Sequence, residues 1–436
     1  MKKPLILFYP NLPLLSKNEM QVLDLLIEAG KQIVPIYSEQ EKQAEHQFSK
    51  VELEKAAKND SAILDPYTVV EKINGKLIAT PYHIKYAKLL KPVADTLLRA
   101  SRLTNNKEFG KALAIQAKAL LDGTYDQATI AWLKTKQYIL DISISPVEHL
   151  DDKLFFGKAS YQAWVGILDK EGTERFNNYK SITLSARRKA LMPKERIDGH
   201  NKIKAQVIDV VLFSGLMART KFVGVNLPVD VEFVEKYGSE VTLFNQPNDL
   251  RIKEQILPTF NKIFSKPFKQ GFTKEDLRRG YLRMVALHEL AHSYLYYRHA
   301  VQNLADLFQS IYELSATVLG LRMAGYLLLK DRITNKQVES MIVTFLCRSF
   351  YLAGKGKSNK SMVNYNLGGA IFVNYMLECG AIKLKEELVI PNFMKIFVAL
   401  HDLSYMLEKL LASGTRKDAE IFVRKYAKLN LLTEIF

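Results

Sequence analysis

Two histidines spaced four residues apart are the side chains best placed to do chemistry. His288 and His292 enclose Glu289 in an HExxH pattern, inside an apolar stretch with helical periodicity. Residues four apart share one face of a helix, so both imidazoles can bind one metal ion. Glu289 is offset by one position and can take a proton from a zinc-bound water. The spacing therefore predicts one Zn²⁺ ion, with Glu289 as the general base.

A third protein ligand is expected, because catalytic zinc sites commonly combine three protein ligands with an open position. Glu313 is one candidate, since it lies at helical spacing on a stripe of small and polar side chains. His299 is the other, but no glycine turn separates it from His292, and a continuous helix would carry it about two turns away. We therefore favour Glu313. The other members of the stripe are Asp306, Ser310, Thr317 and Gly320.

Two helices must bring these ligands together. The first has a capping box at its start, formed by Thr273 and Asp276, and we expect it to run to about Tyr297. The second carries Glu313. Gly320, two turns further along, is small enough to let the two helices approach closely.

The rest of the sequence indicates an α+β protein. Helical periodicity covers residues 14–36 and, as two helices, 82–121. Short β-branched and aromatic segments fill the middle of the chain, after which helical periodicity returns. We predict a mixed, substrate-binding domain at 1–255, of which parts of 180–205 could join the helical domain, and a mostly helical, metal-binding domain at 256–436. The predicted strands are 138–144, 160–169, 207–213, 221–228 and 240–244.

The composition fits a folded cytoplasmic protein. The 436 residues carry a net charge of +16, but lysines and arginines are spread along the chain without a clustered basic segment. We therefore expect a solvated basic surface and no nucleic-acid binding. A monomer is the default expectation. No stretch is apolar enough for a membrane span, and no signal-peptide cleavage site follows the N-terminal residues. Cys347 and Cys379 lie in apolar segments and are expected to be buried free thiols.

Several segments resemble the dipeptidyl-peptidase III family of zinc exopeptidases (M49), particularly its shorter bacterial members. Residues 15–33 look like the family's opening helix, and 120–133 resemble the segment before its substrate-binding strand. ISISPVEH (142–149) is similar to the start of a stretch built around a Pro-x-Glu-x-Tyr-x-Asp core. GVNLPV (224–229) resembles the family's Asn-x-Pro-Asn segment. YELSAT (312–317) resembles the Glu-Glu-x-x-Ala-Glu motif, whose second glutamate binds zinc.

The resemblance implies a two-lobed α+β fold. A mostly helical zinc-binding lobe would face a mixed lobe, built around a small β-barrel, across a wide cleft. Short peptides would lie in that cleft as an added strand. By position, Glu313 would be the third zinc ligand, Glu148 would hold the free amino terminus of the peptide, and Asn226 would hold peptide backbone nearby. The implied activity is hydrolysis of short peptides from the N-terminus.

The chain departs from the family pattern at several positions. Its zinc histidines follow the HExxH form, whereas the family usually has HExxxH. Leu150 stands where the family has a tyrosine, and Tyr312 stands where the zinc motif begins with glutamate. A histidine and an arginine that touch substrate would fall near Tyr365 and Gly369. Tyr365 or His149 could take over part of substrate binding.

These departures leave two functions open. The first is a zinc peptidase acting on short peptides. The second is a metal-binding family member with altered specificity or little catalysis, which would act as a peptide-binding protein.

Overall fold

The computed structural model describes most of the chain. The described residues are 3–43, 48–149, 157–188, 202–228, 230–295, 297, 299–354 and 363–428. Helices and strands are mixed, as the α+β prediction requires. Among the described residues, no helix is long and apolar enough to cross a membrane.

Strands form one larger sheet and two separate hairpins. The strands are β1 (Leu5–Leu7), β2 (Thr68–Ile73), β3 (Lys76–Pro81), β4 (Leu140–His149), β5 (Ala159–Leu168), β6 (Ile203–Gly215), β7 (Gly224–Leu227), β8 (Ser239–Phe244), β9 (Ile382–Lys385) and β10 (Leu388–Pro391). The six-stranded sheet has the order β4-β5-β6-β8-β7, with β1 also paired to β6. The pairs β4–β5, β5–β6 and β1–β6 are antiparallel. Each of the five predicted strands overlaps one strand of this sheet, whereas closure into a barrel stays a prediction.

Helices make up most of the remaining described structure. They are α1 (Lys17–Gln43), α2 (Lys50–Ala57), α3 (Tyr82–Lys85), α4 (Ala87–Leu103), α5 (Lys107–Asp122), α6 (Tyr125–Lys134), α7 (Lys170–Arg188), α8 (Leu216–Thr220), α9 (Val231–Tyr237), α10 (Asn245–Arg251), α11 (Leu257–Ile263), α12 (Lys266–Gln270), α13 (Lys274–His292), α14 (Ala300–Leu304), α15 (Phe308–Leu329), α16 (Asn335–Gly354), α17 (Val363–Glu378), α18 (Phe393–Ser413) and α19 (Arg416–Tyr426). A π-helical segment, Ile252–Ile256, joins α10 to α11. The two helices predicted within 82–121 correspond to α4 and α5.

The chain forms two compact units. The first comprises Met1–Lys170, Val207–Phe222 and Leu227–Glu240, and the second comprises Glu171–Gln206, Val223–Asn226 and Val241–Phe436. Strands β6, β7 and β8 each contribute residues to both units. The domain boundary predicted between residues 255 and 256 stays a prediction.

The first unit is built on one apolar core. Helices α1, α4 and α5 pack together, and α1 also contacts β4 and β5. Along β4 apolar and polar residues alternate, and its apolar residues Leu140, Ile142 and Ile144 are buried in the same core as these helices. Fully or almost fully buried members of the core include Leu26, Ile33, Leu90, Leu97, Leu113, Ile144, Tyr161 and Val165.

The second unit is a helical assembly that contains the HExxH segment. Helix α13 packs against α15 and α16, and α16 packs against α17. Cys347 on α16 is a buried free thiol, as expected. Cys379 is also free but exposed, so the prediction of burial was wrong for this residue. It follows the last residue of α17, where the chain leaves the helical core.

Candidate metal centre

Helix α13 carries the HExxH residues and begins as the sequence predicts. The Thr273 hydroxyl accepts a hydrogen bond from the Asp276 backbone N–H, and the Asp276 carboxylate accepts one from Thr273 N–H, which completes the capping box. The helix ends at His292 and does not reach Tyr297. Beyond it the backbone tightens into i−3 bonds, from Ser293 N–H to Leu290 and from the next two N–H groups to Ala291 and His292.

Glycines let α13 lie very close to its neighbours. A Cβ atom built on Gly320 of α15 would fall 2.8 Å from the backbone carbon of Leu287 and 2.9 Å from the nitrogen of His288. A Cβ atom on Gly280 of α13 would fall 2.8 Å from the backbone carbon of Ser340 on α16. The close approach predicted for Gly320 is confirmed, and it brings the side chains of α15 within reach of the two histidines.

Three donor atoms converge between α13 and α15. The Nε2 atoms of His288 and His292 lie 3.1 Å apart. Glu313 Oε2 lies 3.4 Å from His288 Nε2 and 3.7 Å from His292 Nε2. A tetrahedral zinc ion with bonds of about 2.0–2.1 Å would hold its ligand atoms about 3.3–3.4 Å apart. The three observed distances, 3.1, 3.4 and 3.7 Å, lie on both sides of that spacing.

Glu289 lies beside this triangle. One donor atom each from His288, Glu289 and His292 falls within a group whose members all lie within 4.8 Å of one another. These three residues therefore form a possible metal-binding group. The helix places both imidazoles on one face and turns Glu289 by one position, as the spacing predicts.

Two of the remaining polar atoms around the triangle, His288 Nδ1 and Glu313 Oε1, are bonded from α15, whereas His292 Nδ1 is buried without a partner among the described residues. His288 Nδ1 lies 2.9 Å from the Thr317 hydroxyl. Gln309 Nε2 donates to Glu313 Oε1 at 3.0 Å, which leaves Oε2 as the oxygen that faces the imidazoles. Tyr312 packs its ring against His292, with centroids 4.7 Å apart. Glu313 Oε2 is buried and has no hydrogen-bond partner among the described residues.

The donor set fits a divalent cation such as zinc. Two imidazoles and one carboxylate are common zinc ligands, and an unpartnered buried carboxylate oxygen is costly unless a cation balances it. Glu313 is 7% exposed and His292 is 9% exposed, so water competes little for these atoms. Residues His288, His292 and Glu313 would hold the ion, and Glu289 would remain outside its protein ligands.

Burial and neighbouring charges shift the two carboxylates in opposite directions. Burial alone would raise the pKa of Glu313, but the imidazoles of His292 and His288 outweigh it and hold the pKa below its usual value. Burial raises the pKa of Glu289 to about 7, with His288 opposing the shift and Glu313 adding to it. Two carboxyl groups in one site thus differ strongly in proton affinity.

Strand β7 fixes the position of Glu289. A Cβ atom on Gly224 would fall 2.9 Å from Glu289 Cγ, so the bare backbone of β7 lies directly against that side chain. The Asn226 amide donates to the Glu289 carbonyl oxygen at 3.0 Å and to Ser293 Oγ at 2.8 Å. Asn226 Oδ1 is buried and has no partner in the described part of the chain. Within the Asn226 amide group, Oδ1 is therefore the atom that remains to accept a hydrogen bond from a ligand.

The structure does not test the substrate-binding residues predicted outside this cluster. Glu148 lies on β4, opposite Ser160, next to a bulge in the strand pairing, but its side chain is outside the described residues. Tyr365 lies on α17, and its side chain is outside them too. His299, the rival third ligand, is exposed at the start of α14. The assignments of Glu148, Asn226 and Tyr365 to substrate binding stay predictions.

Sequence reasoning gave no role to three residues that contact the ligands or Glu289. Thr317 shares the stripe with Glu313, and its position one turn after Glu313 is the signal that could indicate a neighbour of His288. Tyr312 differs from the glutamate of the family motif, a difference that does not indicate its contact with His292. Gly224 carried no signal, because its contact with Glu289 depends on how β7 packs against α13.

Among comparisons with known proteins, those with solved structures support the fold. No family model matches the sequence. Nudix hydrolase 3 from Arabidopsis thaliana is 24% identical over 373 residues, covering 82% of this chain, and the chain spans less than half (46%) of that protein. The structure of DPP III from Caldithrix abyssi superposes with a TM-score of 0.83 at 20% identity, covering 97% of this chain and 92% of its own.

A second solved structure gives the same result. Dipeptidyl-peptidase III from Corallococcus sp. strain EGB has a TM-score of 0.81 at 18% identity, covering 96% of this chain and 90% of its own. Both similarities extend over nearly the whole chain, so the α+β class and the resemblance predicted from sequence are confirmed at the level of the fold. The chain has the two-lobed fold of dipeptidyl-peptidase III.

Proposed function

We propose that this protein is a zinc-dependent peptidase that hydrolyses short peptides from the N-terminus. The observation that carries the proposal is the convergence of His288 Nε2, His292 Nε2 and Glu313 Oε2 at distances of 3.1–3.7 Å. The fold it shares with two structures of dipeptidyl-peptidase III supports a peptide as substrate. We expect the protein to act as a monomer, in the cytoplasm and without nucleic-acid or membrane partners.

Each residue of the cluster has a distinct task in the proposed reaction. Bound zinc would polarise the scissile carbonyl and lower the pKa of a water molecule. Glu289 accepts the proton of the attacking water and delivers it to the leaving amine. Gly224 and Asn226 keep Glu289 in place, because β7 packs on its side chain and hydrogen-bonds its carbonyl group.

Substrate binding is assigned by position in the chain. Glu148 would pair with the free amino terminus of the peptide, which would select peptides by their N-terminal end. Asn226 would accept a backbone N–H through Oδ1, since both amide hydrogens are already donated to Glu289 and Ser293. Tyr365 would contact substrate where the related enzymes have a histidine.

A peptide library tests this function directly. Mass spectrometry of the products, with and without a chelator, reports the cleavage position and the metal dependence together. The Glu289→Gln variant should bind zinc like the wild type but show no turnover. Glu275→Gln, at an exposed position on the same helix, is the matched control and should remain active. Full activity of Glu289→Gln would refute the mechanism.

One observation favours a second candidate function, a metal-containing peptide-binding protein with little catalysis. A Cβ atom on Gly369 of α17 would fall 3.1 Å from Ser349 Cα on α16. A side chain at this position would therefore require α16 to shift by a few tenths of an ångström, and the substrate-contacting arginine that the related enzymes have near it is absent. Stoichiometric zinc binding with no cleavage of any library peptide would support this function over hydrolysis.

A further inference from the structure

The Thr317 hydroxyl contacts two of the three proposed metal ligands at once. Its oxygen lies 2.9 Å from His288 Nδ1 and 3.2 Å from the backbone carbonyl oxygen of Glu313, to which it donates. A hydroxyl has a single proton, and the carbonyl oxygen can only accept. Both contacts can be hydrogen bonds at once in a single arrangement, in which Thr317 donates to the Glu313 carbonyl oxygen and accepts from His288 Nδ1–H.

This arrangement selects one tautomer of His288. With the proton on Nδ1, Nε2 carries a lone pair, and that atom points toward His292 Nε2 and Glu313 Oε2. Nε2 is then ready to bind a metal ion without first losing a proton. The opposite tautomer would direct an N–H group into the centre of the triangle. Partners on the second ring nitrogen commonly set the tautomer and orientation of metal-binding histidines.

We propose that Thr317 is the positioning residue of the metal site, holding His288 in the Nδ1–H tautomer and linking it to Glu313. This inference rests on the proposed function, since it assumes that the triangle binds a metal. Thr317 lies one turn after Glu313 on α15, so a ligand and the support for another ligand share one helix. Gly320 lies three residues after Thr317. Because it has no side chain, α15 can lie close enough to α13 for the hydroxyl to reach His288.

The contact between the Thr317 hydroxyl and His288 is uncharged, unlike a contact made by a carboxylate. In the Glu-Glu-x-x-Ala-Glu motif that YELSAT resembles, Thr317 occupies the position of the last glutamate, and Tyr312 that of the first. A carboxylate at Thr317 would add negative charge next to the imidazole, whereas a hydroxyl orients the ring without doing so. The Tyr312 ring packs against His292 and adds no charge either.

Zinc affinity separates this role from general packing. In chelator competition with the full-length protein, Thr317→Val should bind zinc about 10- to 100-fold more weakly, the range typical of losing such a support. Thr317→Ser keeps the hydroxyl and should stay within about threefold of the wild type, since the hydrogen bond can still form. Thr344→Val is the matched control, because Thr344 is a buried helical threonine that donates to its own i−4 carbonyl oxygen, away from the ligands.

The tautomer can be measured without any substitution at Thr317. Nitrogen-15 spectra of the zinc-free protein, with the His288 signals assigned by their loss in His288→Ala, should show a protonated Nδ1 and an unprotonated Nε2. A protonated Nε2 would overturn the inference. So would Thr317→Val binding zinc as tightly as the wild type. Failure of the proposed function would look different, because the wild type itself would then bind no zinc.

Discussion

At the scale of single residues, the proposed third ligand, Glu313, is the one to test first. Gln309 occupies Oε1, and Oε2 faces both imidazoles in a buried position. Glu313→Gln keeps the size of the side chain but removes its charge and replaces one oxygen with an NH2 group. Loss of an anionic ligand should weaken zinc binding by more than about 100-fold. This is a larger effect than losing a residue that only supports a ligand.

Zinc titration by calorimetry measures this effect, and the chain offers a matched control. Glu408 is also a buried helical glutamate, and it accepts a hydrogen bond from Tyr297 at 2.8 Å, apart from the ligand triangle. Glu408→Gln should therefore leave zinc affinity unchanged. If Glu313→Gln binds zinc as tightly as the wild type, Glu313 is not a ligand.

At the scale of elements, the spacing between α13 and α15 controls the geometry of the site. Gly320→Ala would place a methyl group against the backbone of Leu287 and His288, which cannot move aside as a side chain can. We expect a loss of about 1–3 kcal/mol in the free energy of unfolding, the usual cost of overpacking. Zinc affinity should fall as well, because α15 carries Glu313 and Thr317.

The same helix provides a control for this substitution. A Cβ atom on Gly325 would meet nothing within 4 Å. Gly325→Ala should therefore stabilise the protein by about 0.5–1 kcal/mol, through reduced backbone entropy in the unfolded chain. Urea unfolding of the two variants, with zinc titrations alongside, provides the measurement. Equal effects of the two alanines would show that the α13–α15 contact is not tight at Gly320.

Features set by neighbouring residues could be predicted from the sequence, whereas features set by contacts between distant segments could not. The start of α13 follows from Thr273 and Asp276, because a capping box involves residues only three positions apart. The end of α13 could not be predicted, since the aromatic stretch after His292 gives no sign of the i−3 bonds that close the helix. The contact of Gly224 with Glu289 joins segments distant in sequence, so no local pattern could indicate it.

At the scale of the whole molecule, alternating and helical periodicities predicted the α+β class. They do not indicate which strands contribute residues to both units. Strands β6, β7 and β8 contribute residues to both units, and α7 belongs almost entirely to the second unit although it precedes β6. Such exchanges follow from contacts between distant segments, which composition along the chain does not reveal. Both the HExxH helix and the helix of Glu313 lie in the second unit.

This division predicts where zinc stabilises the protein. A ligand that binds only the folded state at 100 times its Kd contributes about 2.7 kcal/mol, or a roughly 100-fold decrease in the exchange rate of amides that exchange through unfolding. All the proposed ligands lie in the second unit, so hydrogen exchange with and without zinc should differ most in α13 and α15. Helices α4 and α5 of the first unit provide an internal reference and should change little. At the same zinc concentration, exchange in the Glu313→Gln protein should slow by at most about twofold, since its Kd is expected to be more than about 100-fold higher. Equal protection of α4 and α13 would instead show that the two units unfold as one.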